Sequence, residues 1–157
     1  MFVLSHVFAA VAVLTAGIIY GTDVLGALVG RPTWAKVDDR ALVAVNGHMH
    51  HYGDRRFPIP GALSVVATVL AAGASALSGR WPATAAALVA TVALVVWLVI
   101  YKVVNAPINK ELTAAALEGR VPANARALQT RWDSVITARA LLQGVAVGAL
   151  CAVLALP

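Results

Sequence analysis

The run WPATAAALVATVALVVWLVIY, from Trp81 to Tyr101, contains no charged residue. As an α-helix rising 1.5 Å per residue it is about 30 Å long, which is the thickness of a bilayer's hydrocarbon core. In lipid the backbone must satisfy its own hydrogen bonds, so a helix is the form it takes. Three further runs have the same character: Met1 to Thr22, continuing past Asp23 to Gly30; Phe57 to Gly79; and Ala140 to Pro157. The spans are expected at about residues 3–29, 58–79, 82–104 and 136–156. The predicted fold class is all-α: one integral membrane four-helix bundle over residues 1–157, with short interfacial helices in its cytoplasmic loops.

Composition agrees. Of 157 residues, 61% are hydrophobic and 12% are charged, against about a quarter charged in a soluble domain. Mean hydropathy is +0.83, too apolar for a disordered chain. Cys151 is the only cysteine, which excludes a disulfide framework and a cysteine-built zinc site. The first run lacks the basic start of a cleaved signal peptide and reads as a retained span.

The net charge is +5, concentrated in two regions. Arg31 to Arg56 carries Arg31, Lys36, Arg40, Arg55 and Arg56. Lys102 to Arg139 carries Lys102, Lys110, Arg120, Arg126, Arg131 and Arg139. No basic domain stands outside the membrane to bind nucleic acid. With four spans both regions share one side. The positive-inside rule predicts a multi-pass cell-membrane protein with that side cytoplasmic and both termini outside. Trp34, Trp81 and Trp132 fall near span ends, where interfacial aromatics sit, and Trp97 lies deeper.

Gly17-x-x-x-Gly21, Gly26-x-x-x-Gly30 and Gly144-x-x-x-Gly148 are close-approach motifs. They fit either a homodimer interface or packing within the bundle. Asp38 or Asp39 is placed to cap a helix running toward Tyr52. Pro107 is expected to end span three near Ala106. A short helix over Lys110 to Leu117 should stop at Gly119. Pro122 should open the helix that continues into span four.

The costly polar residues locate the chemistry. Asp23 lies eight residues inside Arg31, about 12 Å along a helix, so it needs a partner within the membrane. Arg139 lies at a similar depth on span four and is the first choice. The pair is either functional or a structural device fixing helix register. The segment from Gly47 to Arg56 holds His48, His50, His51, Tyr52, Asp54 and Arg55. On a helix, His48 and His51 are i,i+3 neighbours and His50 and Asp54 are i,i+4 neighbours. These four could form part of a single Fe or Cu site, or simply an interfacial segment meeting water and headgroups. His6 lies near the opposite end of span one, some 25 Å from Asp23. Asn105 and Asn109 flank Pro107, either capping a broken helix or holding a polar substrate. Asp23, residues 48–56, Asn105, Asn109, Trp132, Asp133 and Arg139 all gather at the basic end, where bundles build pockets.

The run Asn105-Ala106-Pro107-Ile108-Asn109-Lys110-Glu111-Leu112, followed by Arg131-Trp132-Asp133 and by Arg139 seven residues after the Trp, resembles the anthrone-oxygenase-like family of small four-helix membrane proteins. Arg55-Arg56 before Pro58 resembles the start of span two in that family. Two positions depart from its pattern: Asp133 replaces an Asn, and Ile136 stands where many members carry a His. The resemblance implies a monooxygenase acting on a hydrophobic phenolic or polyketide-type substrate with molecular oxygen, without flavin or haem. On that reading His48 or His51 is the base, and Arg139, Asn105 and Asn109 stabilise an oxyanion. Trp132, Asp133, Asp23, Tyr52 and Arg55 line the substrate. Replacing Arg139 by Leu is expected to abolish turnover in a folded protein. The alternative is a non-catalytic accessory or assembly protein whose glycine faces bind partner helices. A transporter is disfavoured, since no inverted repeat is visible.

Overall fold

The structure is a computed structural model that describes residues 1–157. It is all helical, with no strand. Four long helices are apolar enough to cross a membrane: Phe2–Trp34, Pro58–Leu77, Trp81–Leu117 and Ala125–Ala155. The first comprises α1 (Phe2–Leu25), a π-helical turn (Gly26–Gly30) and α2 (Arg31–Trp34). After α3 (Asp39–Arg56) and α4 (Pro58–Leu77), the third long helix joins α5 (Trp81–Ile100), a second π-helical turn (Tyr101–Asn105) and α6 (Ala106–Leu117). The last is α7 (Ala125–Ala155). The spanning helices pack as a ring in the order α1, α4, α5, α7, each touching the next and α7 closing on α1.

The two π turns answer to the same sequence feature. Each ends two residues before a proline, Pro32 or Pro107. Proline lacks an N–H and its ring clashes with the carbonyl four residues back. Widening the turn to an i→i+5 bond relieves that conflict: the Arg31 N–H reaches the Gly26 carbonyl, and the Ala106 N–H reaches that of Tyr101. Pro107 therefore does not end span three, contrary to the sequence expectation. The helix runs through it to Leu117, and Gly119, with φ +66°, follows the stop.

Inside the bundle the core is mostly alanine. Ala9, Ala12, Ala16, Ala71, Ala87 and Ala90 are fully buried, whereas Leu14, Leu88, Val92 and Leu141 point outward. This is how membrane helices associate: lipid solvates the large side chains, and small ones let backbones close in. The glycine motifs divide. Gly26 and Gly144 lie against Ile136 and Tyr20 of neighbouring helices, while Gly17, Gly21 and Gly148 face open space.

At the non-basic end Arg80 is buried in the α4–α5 turn. Its guanidinium donates to Ser5 Oγ (2.7 Å) and to the Val153 and Leu156 carbonyls at the end of α7 (3.0 and 2.5 Å), and it lies over the Phe2 ring. A cation there satisfies carbonyls that a helix terminus leaves without partners. His6 is at this end too, its Nδ1 3.0 Å from the Phe2 carbonyl.

At the basic end α3 and α6 form a small second core from Leu42, Val43, Ile108, Leu112 and Ala115, joined by Ala125 of α7. Asp38 caps α3, accepting from the Ala41 N–H at 2.7 Å. Arg126 ties α7 to the approach to α3 through Asp39 (2.6 Å) and the Trp34 carbonyl (2.6 Å). Gly47 is the contact point: a Cβ there would overlap the Ala116 Cβ and the Leu112 carbonyl. Gly47→Ala is expected to push α3 off α6 and destabilise by about 1–3 kcal/mol, as overpacking does. Thermal unfolding of the detergent-purified variant checks this, and an unchanged midpoint would refute the close approach.

Candidate functional site

The third long helix carries Trp97, Tyr101, Asn105 and Asn109 at intervals of four, with the π turn widening the helix between the second and third. Asp23 comes from α1, His50 and Asp54 from α3, Trp132 and Arg139 from α7. All gather at the basic end of the ring.

The centre is an ion pair. Arg139 Nη2 donates to Asp23 Oδ1 at 2.7 Å, with both side chains under 10% exposed. Arg139 is thus the partner that the depth of Asp23 called for. Trp97 Nε1 donates to the other carboxylate oxygen at 2.8 Å, so both oxygens are bonded. Three rings surround the guanidinium, Trp97, Tyr101 and Trp132, at 5.4, 5.6 and 5.7 Å. Their π faces favour a cation held out of water. Trp97 and Tyr101 are stacked, 6.0 Å apart and 10° from parallel.

A second chain of bonds runs beside it. Trp132 Nε1 donates to Asn109 Oδ1 (2.9 Å), and Asn109 Nδ2 donates to Asp54 Oδ1 (3.0 Å). Tyr101 Oη donates to the same Asp54 oxygen at 2.8 Å. Trp132 therefore turns inward rather than serving as an interfacial anchor. Asn109 thus uses its amide oxygen and one of its two N–H donors to link Trp132 to Asp54.

Seven buried side-chain atoms have no partner: Asn105 Nδ2 and Oδ1, Arg139 Nε, His50 Nε2 and Gln143 Oε1, and, at the α4–α5 turn, Ser75 Oγ and Arg80 Nε. Asn105 is 0% exposed. Leaving a buried donor or acceptor unpaired costs about 1–3 kcal/mol. Asn105 Nδ2 and Arg139 Nε are the unpaired donors that the third long helix and α7 hold at this end.

The histidines separate. His48 is exposed and directs Nδ1 to the Ala44 carbonyl (2.7 Å). His51 pairs with Arg55, 2.5 Å from Nη1. Only His50 turns inward, its ring 5.7 Å from that of Trp132. His48 and His51, the histidines expected as the base, bond within α3 and make no hydrogen bond to the buried network. No three His, Cys, Asp or Glu side chains are gathered as a metal-binding group; of the set His48, His50, His51 and Asp54, the last three line one cleft while His48 is exposed apart from it. Tyr52 is exposed beneath Arg56. Asp133 joins a separate chain, in which Asn46 donates to Gln129 (2.7 Å) and Gln129 to Asp133 (2.9 Å). Ile136 is fully buried and packs beside Gly26.

Burial pushes the His50 imidazolium down to about 4; Asp54 opposes that shift and Arg139 adds to it. His50 is therefore neutral at physiological pH. The unfolded chain takes up this proton near pH 6.5 and the folded one only near 4. Stability is complete above about pH 6.5 and is lost as pH falls toward 4, by up to about 3 kcal/mol. His50→Gln should flatten that part of the stability–pH curve; an unchanged slope would mean the histidine is solvated.

Trp97, Tyr101, Asn46, Gln129, Gln143 and Arg80 were not among the residues singled out from the sequence. The four-residue spacing of Trp97, Tyr101, Asn105 and Asn109 was the signal for the first two. An apolar ring of four spanning helices with a buried, aromatic-walled polar network at one end defines a multi-pass membrane protein of the four-helix-bundle class. The family model for anthrone oxygenase matches residues 47–151, and the chain belongs to that family. The matched segment contains His50, Asp54, Asn105, Asn109, Trp132 and Arg139, while Asp23 lies outside it. No curated protein and no solved structure matches the chain.

Proposed function

We propose that this protein is an oxygenase for a hydrophobic, enolisable phenolic ketone of the anthrone type. The observation that carries the reading is the group of unpaired buried atoms on Asn105, Arg139 and His50 beside the rings of Trp97, Tyr101 and Trp132. A flat aromatic substrate suits such walls. His50 Nε2 accepts the proton from the acidic carbon, and the anion formed beside it raises the histidine's proton affinity. Asn105 Nδ2 and Arg139 Nε–H receive the oxyanion. Arg139 acts here through one N–H direction and not as a free cation, because Asp23 already neutralises it. The carbanion is oxidised by dioxygen, one oxygen atom becoming the new carbonyl and the other leaving as water with the two hydrogens of the methylene. The positive-inside rule puts this end of the bundle at the cytoplasmic face.

The test is oxygen uptake by the purified protein in vesicles given 1,8-dihydroxyanthrone, against protein-free vesicles as the autoxidation control. The expected result is one dioxygen consumed per quinone formed, at a rate proportional to protein. Uptake no faster than the control would end the reading. The outward-facing Gly17, Gly21 and Gly148 favour a second reading, an accessory protein that binds partner helices. A stable complex with one membrane partner, unaffected by Asn105 variants, would support it.

A further inference from the structure

A cleft of about 370 Å³ lies between α3 and α6, lined by His50, His51, Asp54, Arg55, Lys110 and Thr113 among others. Its size is within the range of small-ligand sites. Two of its residues belong to the buried network as well. His50 lies against the Trp132 ring, and Asp54 receives the bonds from Tyr101 and Asn109. The cleft therefore adjoins the buried network at His50 and Asp54. Its charge is asymmetric. The inward carboxylate of Asp54 is engaged by two donors, while Arg55 and Lys110 are exposed at the rim. Arg55 is held there by His51.

We infer that the cleft is the mouth of the site and selects substrates carrying a carboxylate, which Arg55 and Lys110 hold while the aromatic body passes His50 toward Trp132. This rests on the anthrone-type reading and narrows it: the substrate is an amphipathic aromatic acid and not a neutral hydrocarbon-like ketone. Arg55 offers a planar donor fork matched to a carboxylate, and Lys110 adds a mobile point charge. An anionic lipid phosphate has the same charge, but it would not extend inward past an imidazole to an indole ring.

The test uses the full-length protein in phosphatidylcholine vesicles and two stable, product-like probes, anthraquinone-2-carboxylate and its neutral 2-carboxamide. Binding is read by quenching of tryptophan fluorescence. The carboxylate is expected to bind about tenfold tighter than the amide, two partly exposed charge pairs being of that order. Arg55→Gln/Lys110→Gln, both surface changes, should erase the preference without changing carboxamide affinity. Equal affinities in the wild type, or a preference kept by the double variant, would overturn the inference. So would loss of the wild-type advantage over the double variant when phosphatidylglycerol is added, since the cleft would then be a lipid-phosphate site. Oxygen uptake with 1,8-dihydroxyanthrone-3-carboxylate, which carries both the acidic methylene and the carboxylate, separates the two readings in the same vesicles. A carboxylate preference without any uptake leaves the cleft assignment standing and removes the oxygenase.

Discussion

Arg139→Met is expected to destabilise the protein by about 3–5 kcal/mol, because it strips a buried carboxylate of its counter-ion. Asp23 is 3% exposed and keeps only the Trp97 N–H once Arg139 is gone. The cost arises from the charge left behind and not from the pair itself. Asp23→Leu/Arg139→Met, which removes both charges, should therefore recover most of the loss, since apolar replacement of a whole buried pair is often neutral. A double-mutant cycle of unfolding free energies in detergent measures this coupling. Singles that each lose under about 1 kcal/mol would mean the pair is solvated and carries little. The double variant should remain inactive, because the Nε–H donor goes with the arginine. Arg139→Leu alone therefore does not separate a loss of turnover from a loss of stability, because Arg139 is also the counter-ion of Asp23.

Asn105→Leu is expected to do the reverse, raising stability while lowering turnover by about 100-fold, the usual effect of losing one oxyanion donor. The wild-type amide is fully buried and neither its Nδ2 nor its Oδ1 has a partner. Replacing such a group by an apolar side chain of similar size removes a desolvation penalty of about 1–3 kcal/mol. For a chain of this size that corresponds to a rise in Tm of a few degrees, about 2–4 °C per kcal/mol. Thermal unfolding and oxygen uptake on the same preparation decide it. A lowered Tm would mean that the amide has structural partners, and retained turnover would remove Asn105 from the site. A rise in Tm with loss of turnover is the pattern of a residue kept for function at a cost in stability.

The spans were legible in the sequence because lipid imposes a requirement that one dimension satisfies: an uncharged run long enough to cross. Asp23 and Arg139 were legible for the same reason, since a charge at that depth must find its opposite. Asp38 as a cap and Gly119 as a stop follow from local backbone chemistry. The family motif around Asn105, Asn109, Trp132 and Arg139 was readable as well. Only the tertiary structure decided which way each side chain turns. A spanning helix is apolar on the lipid face and on the packed face alike, so its periodicity does not announce an inside. That is why Trp132 could be read both as an interfacial aromatic and as a wall of the site, and Trp97 and Tyr101 only as span residues, when all three surround Arg139. It is also why His50 could not be told from His48 and His51, three neighbours whose directions are set by how α3 packs on α6 through Gly47. The π turn before Pro107 completes the difference. A proline marks a probable helix end when only local sterics are weighed, but a single widened turn carried this helix onward and brought Asn105 and Asn109 to the face that bears Trp97 and Tyr101.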